Sequence, residues 1–235
     1  MNRRKFSTEI IFALSPGMLA IFGSAAHAAS LQDLTEKEAS QGLKAALEKG
    51  ATVAVGLLGQ TDGFLGNEKV RIPLPGFLED AAKLLRKLGQ GKRVDELVTG
   101  MNRAAEAAVP QAKELLVSAV SSMNVSDAKN ILTGGDTSVT TFFSEKTRSP
   151  LFTRFLPIVT QSIEQIGLVE KYNQVAGKAA GFGLVKKDDA KLQDYVTNKT
   201  LDGLYTMIAE EERKIRSNPI GAGSAVLQKV FGALK

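Results

Sequence analysis

One segment of this chain, Asp62–Gly76, cannot form a helix. Pro73 and Pro75 lack a backbone N–H donor, and each forces the residue before it into an extended conformation. Apolar side chains recur at every second position just before and between them, at Val70, Ile72 and Leu74. We therefore predict a long irregular loop at residues 62–76, with one apolar edge that lies on a helical core.

The rest of the chain after residue 28 has the apolar periodicity of helices, with residues recurring at three- and four-residue spacing. In the first half of the chain, helices are predicted from a Thr35 capping box to about Leu58, from Phe77 to Leu88, from Val94 to Ala108, from Pro110 to Met123, and from an N-cap at Ser126 to Leu132. In the second half they are predicted around Phe142, from Ser149-Pro150 with a kink or break at Pro157, from Leu168 to Ala180, from Asp188 to about Ser217, and from Ser224 to Leu234. No strand pattern occurs outside the loop. We predict an all-α, single multi-helix domain at residues 29–235.

The first 28 residues have the organisation of a cleavable export signal. Residues 3–5 are positively charged, residues 10–22 are moderately apolar, and Ala26-His27-Ala28 fits the small-x-small cleavage pattern. We predict cleavage after Ala28 and a periplasmic location. The paired arginines also resemble a twin-arginine signal, and an ordinary Sec signal is the alternative. No later apolar run is long enough to span a membrane.

Composition excludes several kinds of chemistry. The chain has no Cys and no Trp, and its single histidine, His27, lies in the predicted signal. The mature protein can therefore hold no Ser-His-Asp or Cys-His site, no zinc site built on His or Cys, and no haem with those axial ligands. We predict no cofactor. The whole chain has a net charge of +5, and the predicted signal accounts for +2 of it. The mild basic excess of the mature chain favours weak contact with anionic surfaces, but it does not indicate nucleic acid.

The predicted loop has two interpretations, which the sequence leaves open. It binds a ligand or partner, or it is a structural strap that covers the core. Tyr172 and Asn173 have a similar ambiguity, because they either line the same cleft or serve as a core residue and a helix cap. The candidate binding residues of the loop are Asp62, Phe64, Asn67 and Arg71.

Two further polar groups lie on predicted helices. Asn102, Arg103 and Glu106 share one helix face, and they form a polar triplet in a groove or a surface ion pair worth about 0.3 kcal/mol; we favour the ion pair. Asp202 and residues 210–212 are acidic, but their helical spacing cannot direct all four carboxylates at one metal ion. Ion pairs of Glu210 with Lys214 and Glu212 with Arg216 are the better interpretation.

Several blocks of sequence resemble one bacterial family. They are Asp62-Gly63-Phe64-Leu65, Val70-Arg71-Ile72-Pro73-Leu74-Pro75, Met101-Asn102-Arg103-Ala104-Ala105-Glu106-Ala107-Ala108, and Leu201-Asp202-Gly203-Leu204 with Ile208-Ala209-Glu210-Glu211-Glu212. In that order they resemble domain-of-unknown-function family 4197. The resemblance implies an exported protein of Gram-negative bacteria with no assigned activity, so it supplies no catalytic residues.

These observations favour an exported, non-catalytic protein that binds or interacts with an envelope component, whether a protein, a lipid headgroup or a cell-wall polymer. One alternative is an enzyme that uses carboxylates, with or without Ca²⁺ or Mg²⁺. The other is peripheral lipid binding through the amphipathic helix Phe77–Leu88, which has a cationic flank. If the leucine face of that helix is fully buried, the lipid hypothesis loses its surface.

Overall fold

The computed structural model describes residues 36–165, 167, 169–170, 172–173 and 191–217, without the side chains of residues 36–39, 80 and 81. The helices are α1 (Glu36–Leu58), α2 (Glu79–Lys87), α3 (Gly91–Ala108), α4 (Ala112–Ser121), α5 (Val125–Thr133), α6 (Ser138–Glu164) and α7 (Leu192–Ser217). Short 3-10 turns at Gly76–Leu78 and Val109–Gln111 precede α2 and α4. These described residues contain no strand, and the all-α prediction is confirmed.

The long helices α6 and α7 form the centre of the fold. They pack against each other, α3 packs on both of them, α1 packs on α7, and α4 contacts both α1 and α6. Their apolar faces build one core, whose fully buried side chains include Leu43, Leu58, Met101, Leu116, Phe143 and Phe155. Helix α2 lies outside this arrangement, packed on α3, and Ala82 is its one buried residue among the described side chains.

Helix α6 runs without interruption through Pro150 and Pro157, so the predicted new helix at Ser149 is wrong. Of the kink or break predicted at Pro157, the break does not occur. Both prolines lie on the exposed side of the helix. On the opposite side a buried row continues past them, through Thr147, Leu151, Phe155, Val159 and Ile163. A proline inside a helix costs about 3 kcal/mol, whereas each large apolar side chain that is buried contributes roughly 1.5–3 kcal/mol. The continuous core face therefore outweighs the two prolines.

The start of α5 also differs from its prediction. Asn124, not Ser126, is the N-cap: its side chain accepts a hydrogen bond from the Asp127 backbone N–H at 2.8 Å, and the Asp127 carboxylate accepts one from the Asn124 N–H at 3.1 Å. This reciprocal pair is a capping box. Ser126 lies inside the first turn of α5. The cap lies two residues earlier than predicted because the side chains of Asn124 and Asp127 each accept the backbone N–H of the other.

Other predicted boundaries agree with the structure. α1 ends at Leu58, α3 ends at Ala108 and α7 ends at Ser217. Residues 59–75 have no helix, in agreement with the predicted loop. Residues 169, 170, 172 and 173 are helical, as predicted for 168–180. The export signal, the Thr35 and Asp188 caps and the C-terminal helix lie outside the described residues.

Candidate functional site

The non-helical segment 59–75, here called the strap, crosses the outside of α3 and α7 with its apolar side chains turned inward. Phe64 is fully buried, Ile72 is 1% exposed and Val70 is 6% exposed. A Cβ atom at Gly203 of α7 would lie 2.5 Å from Cε1 of Phe64, so the ring rests directly on the α7 backbone. The predicted binding residue Phe64 is therefore part of the core.

Asn102 of α3 holds the middle of the strap. Its Oδ1 accepts the Ile72 N–H at 2.8 Å, and its Nδ2 donates to the Ile72 carbonyl at 2.9 Å and to the Val98 carbonyl at 2.8 Å. Asn102 is completely buried. One side-chain amide thus satisfies both backbone groups of an extended residue, as a neighbouring strand would.

Glu106, one turn along α3, holds the start of the strap. Its Oε1 accepts the N–H groups of Phe64 and Leu65, both at 3.1 Å, and its Oε2 accepts Arg103 Nη1 at 2.6 Å. Glu106 is 5% exposed. The predicted ion pair of Arg103 with Glu106 is present, but it is not a surface pair, since Glu106 is buried and also binds backbone amides of the distant strap.

Arg103 joins Glu106 to the turn that begins the strap. Its Nη2 donates to Asp62 Oδ1 at 2.7 Å, and the hydrogen bonds to Glu106 and Asp62 raise the pKa of the Arg103 guanidinium above its usual value. Asp62 has a left-handed backbone (φ 65°), which aspartate tolerates better than most residues. At Gly63 a Cβ would lie 2.5 Å from the carbonyl oxygens of Leu57 and Leu58, so glycine is required for this turn.

Helix α7 holds the strap from the other side. The Tyr195 hydroxyl donates to the Pro73 carbonyl at 3.0 Å, and Lys69 Nζ donates to Glu210 Oε2 at 2.9 Å. Asn67 Nδ2 lies 3.8 Å from Met207 Sδ, and Asn67 Oδ1 accepts the Lys69 N–H at 3.1 Å. Of the two interpretations of the loop, these contacts favour the structural strap.

Tyr172 and Asn173 serve as a core residue and a helix cap. Tyr172 is 4% exposed, and its ring centroid lies 6.0 Å from that of Phe77. Asn173 Oδ1 accepts the N–H of Leu192, the first residue of α7, at 2.9 Å. The cap satisfies one of the amide donors that a helix start leaves without a partner in the helix.

Asp202 and the acidic residues 210–212 of α7 are held in ion pairs. Asp202 accepts Arg148 at 2.7 Å on the surface, Glu210 pairs with Lys69 and Arg213, and Glu211 pairs with Lys214 at 2.7 Å. The predicted Glu210–Lys214 pair is therefore wrong, because Lys214 turns to Glu211 one position along. No cluster of three acidic, His or Cys side chains arranged to hold a metal ion is found in the described part of the chain.

Glu212 is buried and has a structural role. It accepts the N–H of Val139 at 3.0 Å and of Thr140 at 3.1 Å, at the beginning of α6, and the predicted pair with Arg216 is present at 3.0 Å. A carboxylate at a helix N-terminus is stabilised by the free amides and the helix dipole. Glu212 thus joins the end of α7 to the start of α6.

Arg71 is the predicted loop residue that turns away from the core, into a groove between the strap, α2 and α3. The groove has a volume of about 300 Å³. Its described lining side chains are Arg71, Pro73, Leu74, Glu79, Ala82, Lys83, Arg86 and Val98. Three of them are cations and one is an acid, and apolar groups form the rest of the surface.

Helix α2 forms one wall of this groove and exposes two leucines on the helix face that points away from the groove. Leu84 is 58% exposed and Leu88 is 67% exposed. They are four positions apart, so they lie on one helix face. The predicted leucine stripe of this helix is therefore split, with Leu85 half-buried and Leu84 and Leu88 facing outward.

A family model for proteins of unknown function, DUF4197, matches residues 33–232. The chain belongs to the DUF4197 family. No curated protein and no solved structure matches this DUF4197 chain. Within the residues that the structure describes, none of its helices is long and apolar enough to cross a bilayer.

Sequence reasoning did not identify the groove as a site of this DUF4197 protein. Lys83 and Arg86 were predicted only as the polar flank of a helix. Arg71 lies at least 12 residues before them in the sequence. The path of the strap places it next to them in the folded chain. The signal that the sequence offered was the cationic flank next to the leucine stripe of 77–88.

Proposed function

We propose that this protein is an exported, non-catalytic protein of the bacterial envelope that attaches reversibly to an anionic phospholipid surface through α2. The observation that carries the proposal is the pair of exposed leucines, Leu84 and Leu88, on a helix that also presents Lys83, Arg86 and Lys87 to solvent. Exposed apolar side chains next to basic ones are typical of helices that lie in a membrane interface.

The energies of the two components suit reversible binding. Moving one leucine side chain out of water contributes roughly 1.5–3 kcal/mol, and a basic residue near an anionic surface contributes about 1 kcal/mol. Arg86 also pairs with Asp95 of α3 at 3.0 Å, and its guanidinium stays half-exposed. Attachment of this kind weakens as salt screens the charges.

The predicted export signal supports the proposal because it would deliver the chain to a compartment bounded by phospholipid membranes. The mild basic excess of the chain has the sign that attracts anionic lipid. The strap offers less to a ligand, because the amides of residues 64, 65 and 72 and the carbonyls of 72 and 73 are hydrogen-bonded to α3 and α7.

A carboxylate-based activity has weaker support at the positions that suggested it. Asp62, Glu106, Asp202 and residues 210–212 are each bound to a cation or to backbone amides. A catalytic pair needs carboxyl groups that face a common substrate position. These carboxylates instead join helix to helix or helix to strap.

The test is vesicle binding by the mature chain, residues 29–235, with the double variant Leu84→Ser, Leu88→Ser. We expect the wild type to sediment with phosphatidylglycerol-containing vesicles, and the double variant to bind at least roughly tenfold more weakly, since two apolar anchors are lost. The matched control is Val125→Ser, because Val125 is 60% exposed on α5, which packs against α6 and α1.

A second measurement reports insertion directly. The chain has no Trp, so a single Leu88→Trp substitution provides a specific fluorophore, and Val125→Trp is its control. We expect a blue shift with anionic vesicles for Leu88→Trp and none for Val125→Trp. Equal shifts at both sites, or wild-type binding by the double serine variant, would contradict the proposal.

A further inference from the structure

The turn between α2 and α3 forms an exposed end of the pair that these two helices make. α2 ends at Lys87, α3 begins at Gly91, and the two helices pack against each other. Arg86 pairs with Asp95 across the helix pair at 3.0 Å, so the residues between these two lie at one end of it. Residues 87–93 are here called the hairpin tip, and all of them except the half-buried Gly91 are exposed.

The backbone of the hairpin tip has a defined shape. Gly89 has a left-handed backbone (φ 76°), and its N–H donates to the Arg86 carbonyl at 3.1 Å. The Gln90 N–H donates to the Leu85 carbonyl at 2.8 Å. These two bonds form a Schellman motif, which fixes the end of the helix. The turn therefore presents Leu88, 67% exposed, in a conformation that needs little further ordering when the tip binds a surface.

The charges of the helix pair are unevenly distributed along α2. The first two residues of α2 are acids, and its last two are Arg86 and Lys87. The hairpin tip contains three cations, Lys87, Lys92 and Arg93, and no acid. An anionic surface therefore attracts the end of α2 and repels its beginning.

Two of the cations at the tip are available to an anion. Arg86 and Lys92 are each paired with an acid of α3, at 3.0 and 3.8 Å. Lys87 and Arg93 form no ion pair with any side chain in the part of the chain that the structure describes. These two residues belong to different helices, and the tip is where the helices meet.

The position of Arg93 separates two ways of meeting a surface. Asp95 faces α2, because it pairs with a cation of that helix. Arg93 is two positions earlier, about 200° around the helix, so it lies on the side of α3 away from α2. A surface along the outer side of α2, on Leu84 and Leu88, is separated from Arg93 by the width of both helices. A surface at the end of the pair meets Leu88, Lys87 and Arg93 together.

We propose that the protein attaches to the phospholipid surface end-on, with Leu88 in the apolar layer and with Lys87 and Arg93 bound to lipid phosphates. The inference rests on the proposed function, because it states which part of α2 meets the membrane. Guanidinium and ammonium groups both bind phosphate oxygens, and the guanidinium does so in a bidentate manner. Leu84 lies four residues before Leu88, so end-on attachment places it about 6 Å farther from the centre of the bilayer.

The first experiment compares the depth of two sites in the membrane. The chain has no Cys, so Leu84→Cys and Gln90→Cys each accept one thiol-reactive fluorophore, with Val125→Cys as the control. All three positions are exposed. The mature chain is saturated with phosphatidylglycerol vesicles that contain a nitroxide-labelled lipid. We expect this lipid to quench the probe at 90 more strongly than the probe at 84, and to leave the probe at 125 unquenched, because only end-on attachment makes position 90 the deeper site.

The second experiment removes a charge that only end-on attachment uses. Arg93→Gln is compared with Lys113→Gln, which removes an exposed cation of α4. From the attraction of one basic residue to an anionic surface, we expect Arg93→Gln to weaken vesicle binding about fivefold and Lys113→Gln less than about twofold. Thermal unfolding of both variants should match that of the wild type, because both side chains are exposed.

The outcomes separate end-on attachment from the proposed function. If the probe at 84 is quenched as strongly as the probe at 90, or more strongly, end-on attachment is overturned and attachment along α2 stands. If Arg93→Gln binds vesicles as Lys113→Gln does, end-on attachment is likewise overturned, while the leucine variants decide the proposed function by themselves. A wild-type chain that does not bind the vesicles overturns both.

Discussion

Single buried polar side chains decide where the strap lies. Asn102 and Glu106 are one turn apart on α3, and together they take three amides and one carbonyl of the strap. Buried backbone groups need partners, and the amides of Phe64, Leu65 and Ile72 have theirs on α3 rather than within the strap. The two side chains therefore allow a long irregular segment to cover a helical core.

Replacing Asn102 by Ala should destabilise the protein by roughly 2–5 kcal/mol, because the N–H and carbonyl of Ile72 lose their partners in a buried place. The measurement is urea unfolding, together with amide hydrogen exchange, which should show lost protection at Ile72. Asn130→Ala is the control: Asn130 is exposed on α5, so we expect a change within about 0.5 kcal/mol. Equal losses in the two variants would contradict the assigned role of Asn102.

The sequence could show that Asn102, Arg103 and Glu106 share a helix face, but not that two of them are buried. Their local spacing is that of an ordinary surface ion pair. Their decisive partners are 30 to 42 positions away, in backbone groups that carry no sequence signal. Asp62 and Gly63 could be predicted as a turn from residue type, whereas the Gly203 contact with Phe64 required the packed structure.

At the scale of elements, periodicity predicted the helices that have a clear buried face. α1, α3 and α7 end where the sequence indicates, and the alternation of Val70, Ile72 and Leu74 matches the buried or half-buried edge of the strap. Prediction failed at α6, where local rules for proline gave two helices. Local rules do not include the free energy of burying the row Leu151, Phe155 and Val159 on α7 and α3.

The prolines of α6 give a prediction at the scale of one element. Pro157 is exposed in the interior of a continuous helix, so Pro157→Ala restores an N–H donor at no cost in core packing. We expect stabilisation of roughly 1–2 kcal/mol, since the helical gain exceeds the entropy that alanine adds to the unfolded chain. Thermal unfolding measures it, with Gln161→Ala on the same helix as the control. Destabilisation would mean that the core requires a bend at Pro157.

The whole molecule divides its polar groups between two tasks. Asn102, Glu106, Asn173 and Glu212 are turned inward, where they join helices to one another and to the strap. The cations and leucines of α2 face outward on a helix that adds little to the core. An exposed helix on a well-packed support suits the surface binding that we propose.

Export is the property of the whole chain on which its proposed location depends. We propose that the paired arginines at positions 3 and 4 direct it to twin-arginine export, with cleavage after Ala28. The double variant Arg3→Lys, Arg4→Lys keeps the positive charge that a Sec signal needs but removes the guanidinium pair. We expect full-length precursor to accumulate in the cytoplasm, whereas Lys5→Arg, the charge-preserving control, should be exported. Cell fractionation and the intact mass of the periplasmic product measure both.

Normal export of the double lysine variant would assign the chain to the Sec route. An uncleaved wild-type chain in the cytoplasm would contradict export, and it would remove the membrane surface that α2 is proposed to bind.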